Sequence, residues 1–79
     1  MNQRLINVLA KIFAIREAEV NLNLRKEDVG SWDSLKQMDL VILLENEYEI
    51  ALDITDIIQM VSVATIIEVL KKKGVTLED

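Results

Sequence analysis

The same spacing of apolar residues appears near both ends of this chain. Leu5, Val8, Leu9 and Ile12 fall at i, i+3, i+4 and i+7, and Val63, Ile66, Ile67 and Leu70 repeat the pattern. Such spacing gathers four apolar side chains on one face of an α-helix, whereas a strand would divide them between two faces. With 79 residues there is material for one core only, so both stripes must be buried in the same place. Proline, which would interrupt the helices, is absent, and glycine occurs only at Gly30 and Gly74. The chain is therefore expected to be helical throughout.

Four helices follow from the pattern. The first is predicted from about Gln3 to Arg16, with Ile6 and Phe13 flanking its stripe. A long connection, Glu17 to Asp33, carries Val20, Leu22, Leu24 and Val29, which are expected to tack it onto the core. Connections of this length in so small a domain usually have a purpose. A second helix opens near Asp33 or Ser34, with Asp33 as its N-cap, and runs to about Tyr48. After a break from Glu49 to Leu52, Asp53 caps a short third helix, Ile54 to Gln59, and Ser62 caps the last. Lys71, Lys72 and Lys73 suit the negative end of that helix, and Gly74 suits the left-handed position beyond it. The expected fold is all-α. It is a single domain over residues 1–79, a small four-helix bundle with three main helices, one short third helix and a long loop between helices 1 and 2.

Several chemistries are excluded. Neither Cys nor His occurs, which removes the disulfide, the zinc centre, the thiol nucleophile and the usual general base. No Asp-x-Asp-x-Asp-Gly loop is present. We expect no catalytic residues and no metal. Met1 to Arg4 do not begin a secretion signal, and no apolar run approaches membrane-spanning length. A soluble, cytoplasmic protein is expected, with no membrane partner.

The net charge of −5 is unevenly placed. Between Asp33 and Asp56 lie seven acids and one base, so this segment carries −6 and the rest of the chain +1. Nucleic acid would be repelled and a basic protein surface attracted. The same acids would also serve as a plain solvated face.

Within Gly30-Ser31-Trp32-Asp33-Ser34-Leu35, a polar loop ends in Asp-Ser-Leu as a helix begins. The Ser34 hydroxyl then lies in the first turn, at the positive end of the helix dipole. A phosphodiester there gains on the order of 0.3–1 kcal/mol at an exposed site, partly offset by Asp33. Asp and Ser are common at helix starts for capping alone, so the tripeptide by itself does not assign a function.

Its continuation does more. Asp33-Ser34-Leu35 is followed by Leu44-Glu45-Asn46-Glu47-Tyr48 at the end of the same helix, and by Met60-Val61-Ser62-Val63 after the short helix. This resembles the acyl carrier protein family from Gly30 to about Leu70. The resemblance implies that Ser34 receives 4′-phosphopantetheine from coenzyme A through a separate phosphopantetheinyl transferase, with Asp33 and Leu35 completing the attachment motif. The arm ends in a thiol, the only one in this Cys-free chain, and holds an acyl group as a thioester. Such a protein is not an enzyme. It supplies an address that acyl-loading and acyl-using enzymes with basic docking surfaces read, and a monomer is expected.

The second helix suits such an address. On a helical projection Leu40, Val41, Leu44 and Tyr48 cluster on one side, and Leu35, Met38 and Ile42 on another, flanked by Asp39 and Glu45. Apolar residues span more arc than one core-facing stripe needs. Either neighbours bury this helix on several sides, or Leu35, Met38 and Ile42 form an exposed patch beside Ser34. The family docks its partners on this face and on the short third helix. Met38, Asp39, Ile42, Glu45 and Asp56 are thus the candidate partner-binding residues. Lys36, where many members have an acid, Trp32, where a small residue is usual, and a third helix of low acidity point to a dedicated pathway carrier. Trp32 itself is expected to pack against the bundle. The alternative is an unmodified helical adaptor or self-association module.

Overall fold

The computed structural model describes residues 1–77. It contains four α-helices: α1 (Gln3–Phe13), α2 (Ser34–Tyr48), α3 (Ile54–Gln59) and α4 (Val63–Lys72). Two single-turn 3₁₀ helices, Glu17–Glu19 and Lys26–Asp28, lie in the connection between α1 and α2. No strand occurs among the described residues; one isolated antiparallel bridge joins Arg25 and Ser62. The all-α bundle expected from the two stripes is the fold observed.

The N-termini of α2, α3 and α4 are capped as the sequence predicts. Lys36 N–H donates to Asp33 Oδ1 at 2.8 Å, Asp56 N–H to Asp53 Oδ1 at 2.9 Å and Thr65 N–H to Ser62 Oγ at 3.1 Å. The C-termini of the three long helices share one device. The N–H of Ile15 reaches back to Ala10 O (3.0 Å), that of Ile50 to Glu45 O (3.2 Å) and that of Val75 to Leu70 O (3.0 Å). In each case the residue before adopts a positive φ: Ala14 at 55°, Glu49 at 53° and Gly74 at 88°. This closure lets the chain reverse while Ile15, Ile50 and Val75 pack on the core. It also ends α1 at Phe13, three residues before the predicted Arg16, because Ala14 leaves the right-handed conformation to bring Ile15 inward.

The two terminal stripes meet in the middle. Leu5 and Leu9 of α1, Leu40 and Leu44 of α2, Met60, and Val63, Ile66 and Leu70 of α4 are all fully buried. Fully burying one such side chain contributes roughly 1.5–3 kcal/mol relative to leaving it exposed. The long connection is fastened over this core. Val20 and Val29 are buried and Leu24 half-buried, as expected, while Leu22 stays exposed. Two backbone bonds tie it to the α3–α4 junction, Lys26 N–H to Val61 O and Val63 N–H to Leu24 O, both 2.9 Å. At the far end of α2, Arg4 of α1 stacks 4.7 Å above the Tyr48 ring and pairs with Glu47 at 2.7 Å.

Candidate functional site

Ser34 is the first residue of α2 and is exposed. The chain has three serines, and the other two hydroxyls are engaged. Ser31 Oγ donates to Phe13 O at 3.0 Å, fixing the loop to the end of α1. Ser62 is buried, and its Oγ accepts from Thr65 N–H. In the first turn of α2 the Asp33 carboxylate takes Lys36 N–H, and Asp33 O takes Gln37 N–H at 2.8 Å. The N–H groups of Ser34 and Leu35 are left without intrahelical acceptors. This end of α2 fits a singly attached phosphodiester: a free hydroxyl, two open donors and the positive end of a helix of 15 residues.

The loop that delivers Ser34 is held from inside. Trp32 is buried, as expected, with its ring stacked on Phe13 at 4.4 Å. Its indole N–H donates to Gln37 Oε1 at 2.6 Å. The amide nitrogen of Gln37 donates in turn to Ile57 O and Met60 O, both at 3.0 Å. One buried amide thus joins the loop before Ser34, the first turn of α2 and the end of α3. The sequence reading missed Gln37. A lone polar residue three positions after Ser34 reads as surface, and only the neighbouring indole hints at a buried partner.

The two apolar clusters of α2 separate as their arcs suggest. Leu40, Val41 and Leu44 are in the core, with Tyr48 half-buried at its edge. Leu35, Met38 and Ile42 are 78%, 50% and 55% exposed. Helix α3 adds two residues not singled out before, Ile54 at 75% and Ile58 at 69%. The signal was present, since Ile54, Ile57 and Ile58 share a face too wide for a six-residue helix to bury.

The acidic residues divide. Asp39 is exposed beside Met38. Glu45 is half-buried, and its Oε2 accepts from Leu52 N–H at 2.9 Å, bracing the turn between α2 and α3. Asp56 does not belong to a docking surface. It is 1% exposed, its Oδ1 lies 2.6 Å from Lys72 Nζ and its Oδ2 2.9 Å from Lys73 Nζ. It also accepts from Asp53 N–H at 3.1 Å. The two ammonium groups and that N–H hold its carboxyl far below the usual carboxylate range. The physical reason for the correction is position. As the third residue of α3, Asp56 turns back toward the helix start, where the last turn of α4 supplies Lys72 and its C-cap supplies Lys73.

Among the described residues no cluster of acids, Cys or His could hold a metal ion, and no helix is long and apolar enough to cross a membrane. A comparison with curated proteins gives no match. A family model described as the phosphopantetheine attachment site matches residues 3–70, which takes in all four helices up to the last turns of α4. Members of this family carry 4′-phosphopantetheine covalently on a serine, work with phosphopantetheinyl transferases and acyl-handling enzymes, and do no catalysis themselves. With the match covering most of its length, the chain belongs to the phosphopantetheine-binding carrier family.

Proposed function

We propose that Ser34 is the attachment point, and that the chain carries an acyl or aminoacyl group as a thioester on the phosphopantetheine arm for the enzymes of one dedicated pathway. The observation that carries the site is the state of the three hydroxyls: Ser31 and Ser62 are bonded within the fold, and Ser34 stands exposed at the start of α2. In the transfer, Ser34 Oγ attacks the phosphorus of coenzyme A that bears the pantetheine. The new Oγ–P bond forms as the nucleotide half leaves, and the hydroxyl proton passes to the transferase. The arm supplies a thiol that holds the cargo. The protein's own residues hold the site still, with Asp33 capping α2 and Trp32 and Gln37 fixing the loop.

A docking surface adjoins the site. Leu35, Met38, Ile42, Ile54 and Ile58 supply an exposed apolar area, and Asp39 supplies charge at its edge. An apolar centre with a charged rim supports the binding of basic-rimmed partners. Cytoplasmic residence and action as a monomer belong to the same proposal.

Intact mass after co-expression with a promiscuous phosphopantetheinyl transferase tests it. One phosphopantetheinyl group is expected, lost in Ser34→Ala with helicity unchanged. The unmodified protein should show no titratable thiol and the modified protein one equivalent, since the chain has no Cys. Mass found on Ser31 or Ser62 would move the site. Failure of any serine to be modified would leave the unmodified adaptor as the better description.

A further inference from the structure

An open groove of about 590 Å³ lies between the end of α1 and the long connection. Small-molecule pockets usually measure roughly 300–1,000 Å³. Phe13, Ile15, Leu24 and Val29 supply its apolar part, and Glu19 and Asp28 line it too. The lining falls entirely within residues 13–31, so the groove is separate from the exposed apolar face of α2 and α3. It is nevertheless within reach of an arm on Ser34. Ser31, the last lining residue along the chain, precedes Ser34 by three positions. Three Cα–Cα steps of about 3.8 Å place the two residues no more than about 11 Å apart. The phosphopantetheine arm has about thirteen bonds from phosphorus to sulfur. At the reach of an extended backbone, about 3.3–3.6 Å per three bonds, it spans roughly 14–16 Å. Gly30 and Ser31 are exposed at this end of the groove, and a Cβ added to Gly30 would meet nothing within 4 Å, so packing does not close the way in.

The charges of the lining select among carried groups. No Lys or Arg lines the groove. Glu19 is engaged by Arg16, with Nη2 3.4 Å from its Oε1. Asp28 is exposed and accepts from Arg25 N–H at 3.1 Å, but among the described residues no ion pair engages it. From this arrangement we infer that the groove receives the carried group, and that the group is aminoacyl with an apolar side chain. The side chain lies against Phe13, Ile15, Leu24 and Val29, and the α-ammonium faces the unpaired charge of Asp28. An acyl group ending in a carboxylate would meet two acids and no base there. An uncharged alkyl group gains the apolar contact alone. This inference rests on Ser34 as the attachment point.

The test uses the full chain, isotopically labelled, and loads Ser34 through a promiscuous phosphopantetheinyl transferase. The donors are unlabelled leucyl-coenzyme A and 4-methylpentanoyl-coenzyme A, whose acyl groups share one carbon skeleton and differ by the α-ammonium. Spectra are recorded at about pH 6, below the ~7.7–8.0 of an α-amino group. Isotope-filtered NOEs are expected from the leucyl methyls to Phe13, Ile15 and Val29. NOEs confined to Leu35, Met38 or Ile58, or none at all, overturn the inference. The displacement of the Val29 and Gly30 amide resonances from their positions with the bare thiol arm tracks the docked fraction. It should be about two- to fivefold smaller for 4-methylpentanoyl, the worth of one exposed ion pair. Equal displacements overturn the aminoacyl assignment. Asp28→Asn keeps an acceptor for Arg25 N–H and discards the charge, so the leucyl group should fall to the level of 4-methylpentanoyl. A leucyl displacement untouched by that change shows that Asp28 does not hold the ammonium, and the assignment fails. Modification at Ser34 without contact to the groove defeats this inference alone; no modification at Ser34 defeats the attachment site and this inference with it.

Discussion

At the scale of single residues, the two lysines that close α4 converge on one carboxylate, that of Asp56. In the sequence it is one more acid in an acidic segment. In the fold it is buried between Lys72 and Lys73, and α3 is pinned to α4 through it. Because its folded pKa is depressed, the pair stabilises the protein above the unfolded carboxyl's pKa of ~3.9, and that stability is lost as pH falls through the lower folded value. Asp56→Asn keeps the shape and an acceptor for Asp53 N–H but discards the charge. It should melt below the wild type near neutral pH, and the gap should close as pH drops below about 4. A gap that persists unchanged in strong acid would mean that packing, not the ion pair, holds α3. The place of Ser34 at the start of α2 was legible from the Asp-Ser-Leu helix start, and the burial of Trp32 because a large ring in the long connection needs shelter. Gln37 and the pairing of Asp56 were not, since both depend on which turns of α2, α3 and α4 come together, and spacing along the chain does not encode that.

At the scale of elements, the N-termini were readable and the C-termini only in part. Asp33, Asp53 and Ser62 announce the starts of α2, α3 and α4 by residue type. Gly74 announces the end of α4, but α1 and α2 end in the same left-handed turn with Ala14 and Glu49 in the place of glycine. A non-glycine residue there costs roughly 1–2 kcal/mol. The helices end there nonetheless, because the closures bring Ile15 and Ile50 onto the core. Ala14→Gly should therefore stabilise the protein, by about 1 kcal/mol once the added flexibility of the unfolded chain is discounted. Gly74→Ala should destabilise it by a similar amount, about 1 kcal/mol, through φ alone, since an added Cβ meets no atom within 4 Å. Urea unfolding of the two variants measures both. Equal and opposite shifts are the expected signature, and a destabilised Ala14→Gly would show that the turn's strain is not what limits α1.

At the scale of the whole molecule, the charge that a partner meets is smaller and more local than the segment's −6 suggests. Asp56 is paired with two lysines, Glu47 with Arg4, and Glu45 is turned to the Leu52 N–H. Of the acids on α2 itself, Asp39 is the one that is exposed beside the apolar patch, so steering toward that patch should depend on it. Association with the transferase should slow as salt is added, because exposed charges are screened over ~8–10 Å at ordinary ionic strength. Glu68, exposed on α4, offers the control. Asp39→Lys and Glu68→Lys change the net charge equally, yet at low salt only Asp39→Lys should slow association markedly. Met38→Ala should act on the other limb of the binding equilibrium, hastening dissociation. Since Met38 is half exposed, its removal should leave unfolding within about 1 kcal/mol of the wild type, unlike a core truncation such as Leu40→Ala at roughly 2–5 kcal/mol. Stopped-flow association, with melting measured on the same samples, separates the effects. If Asp39→Lys and Glu68→Lys slow binding equally, partners feel only the net charge, and the face of Leu35, Met38 and Ile42 is not where they dock.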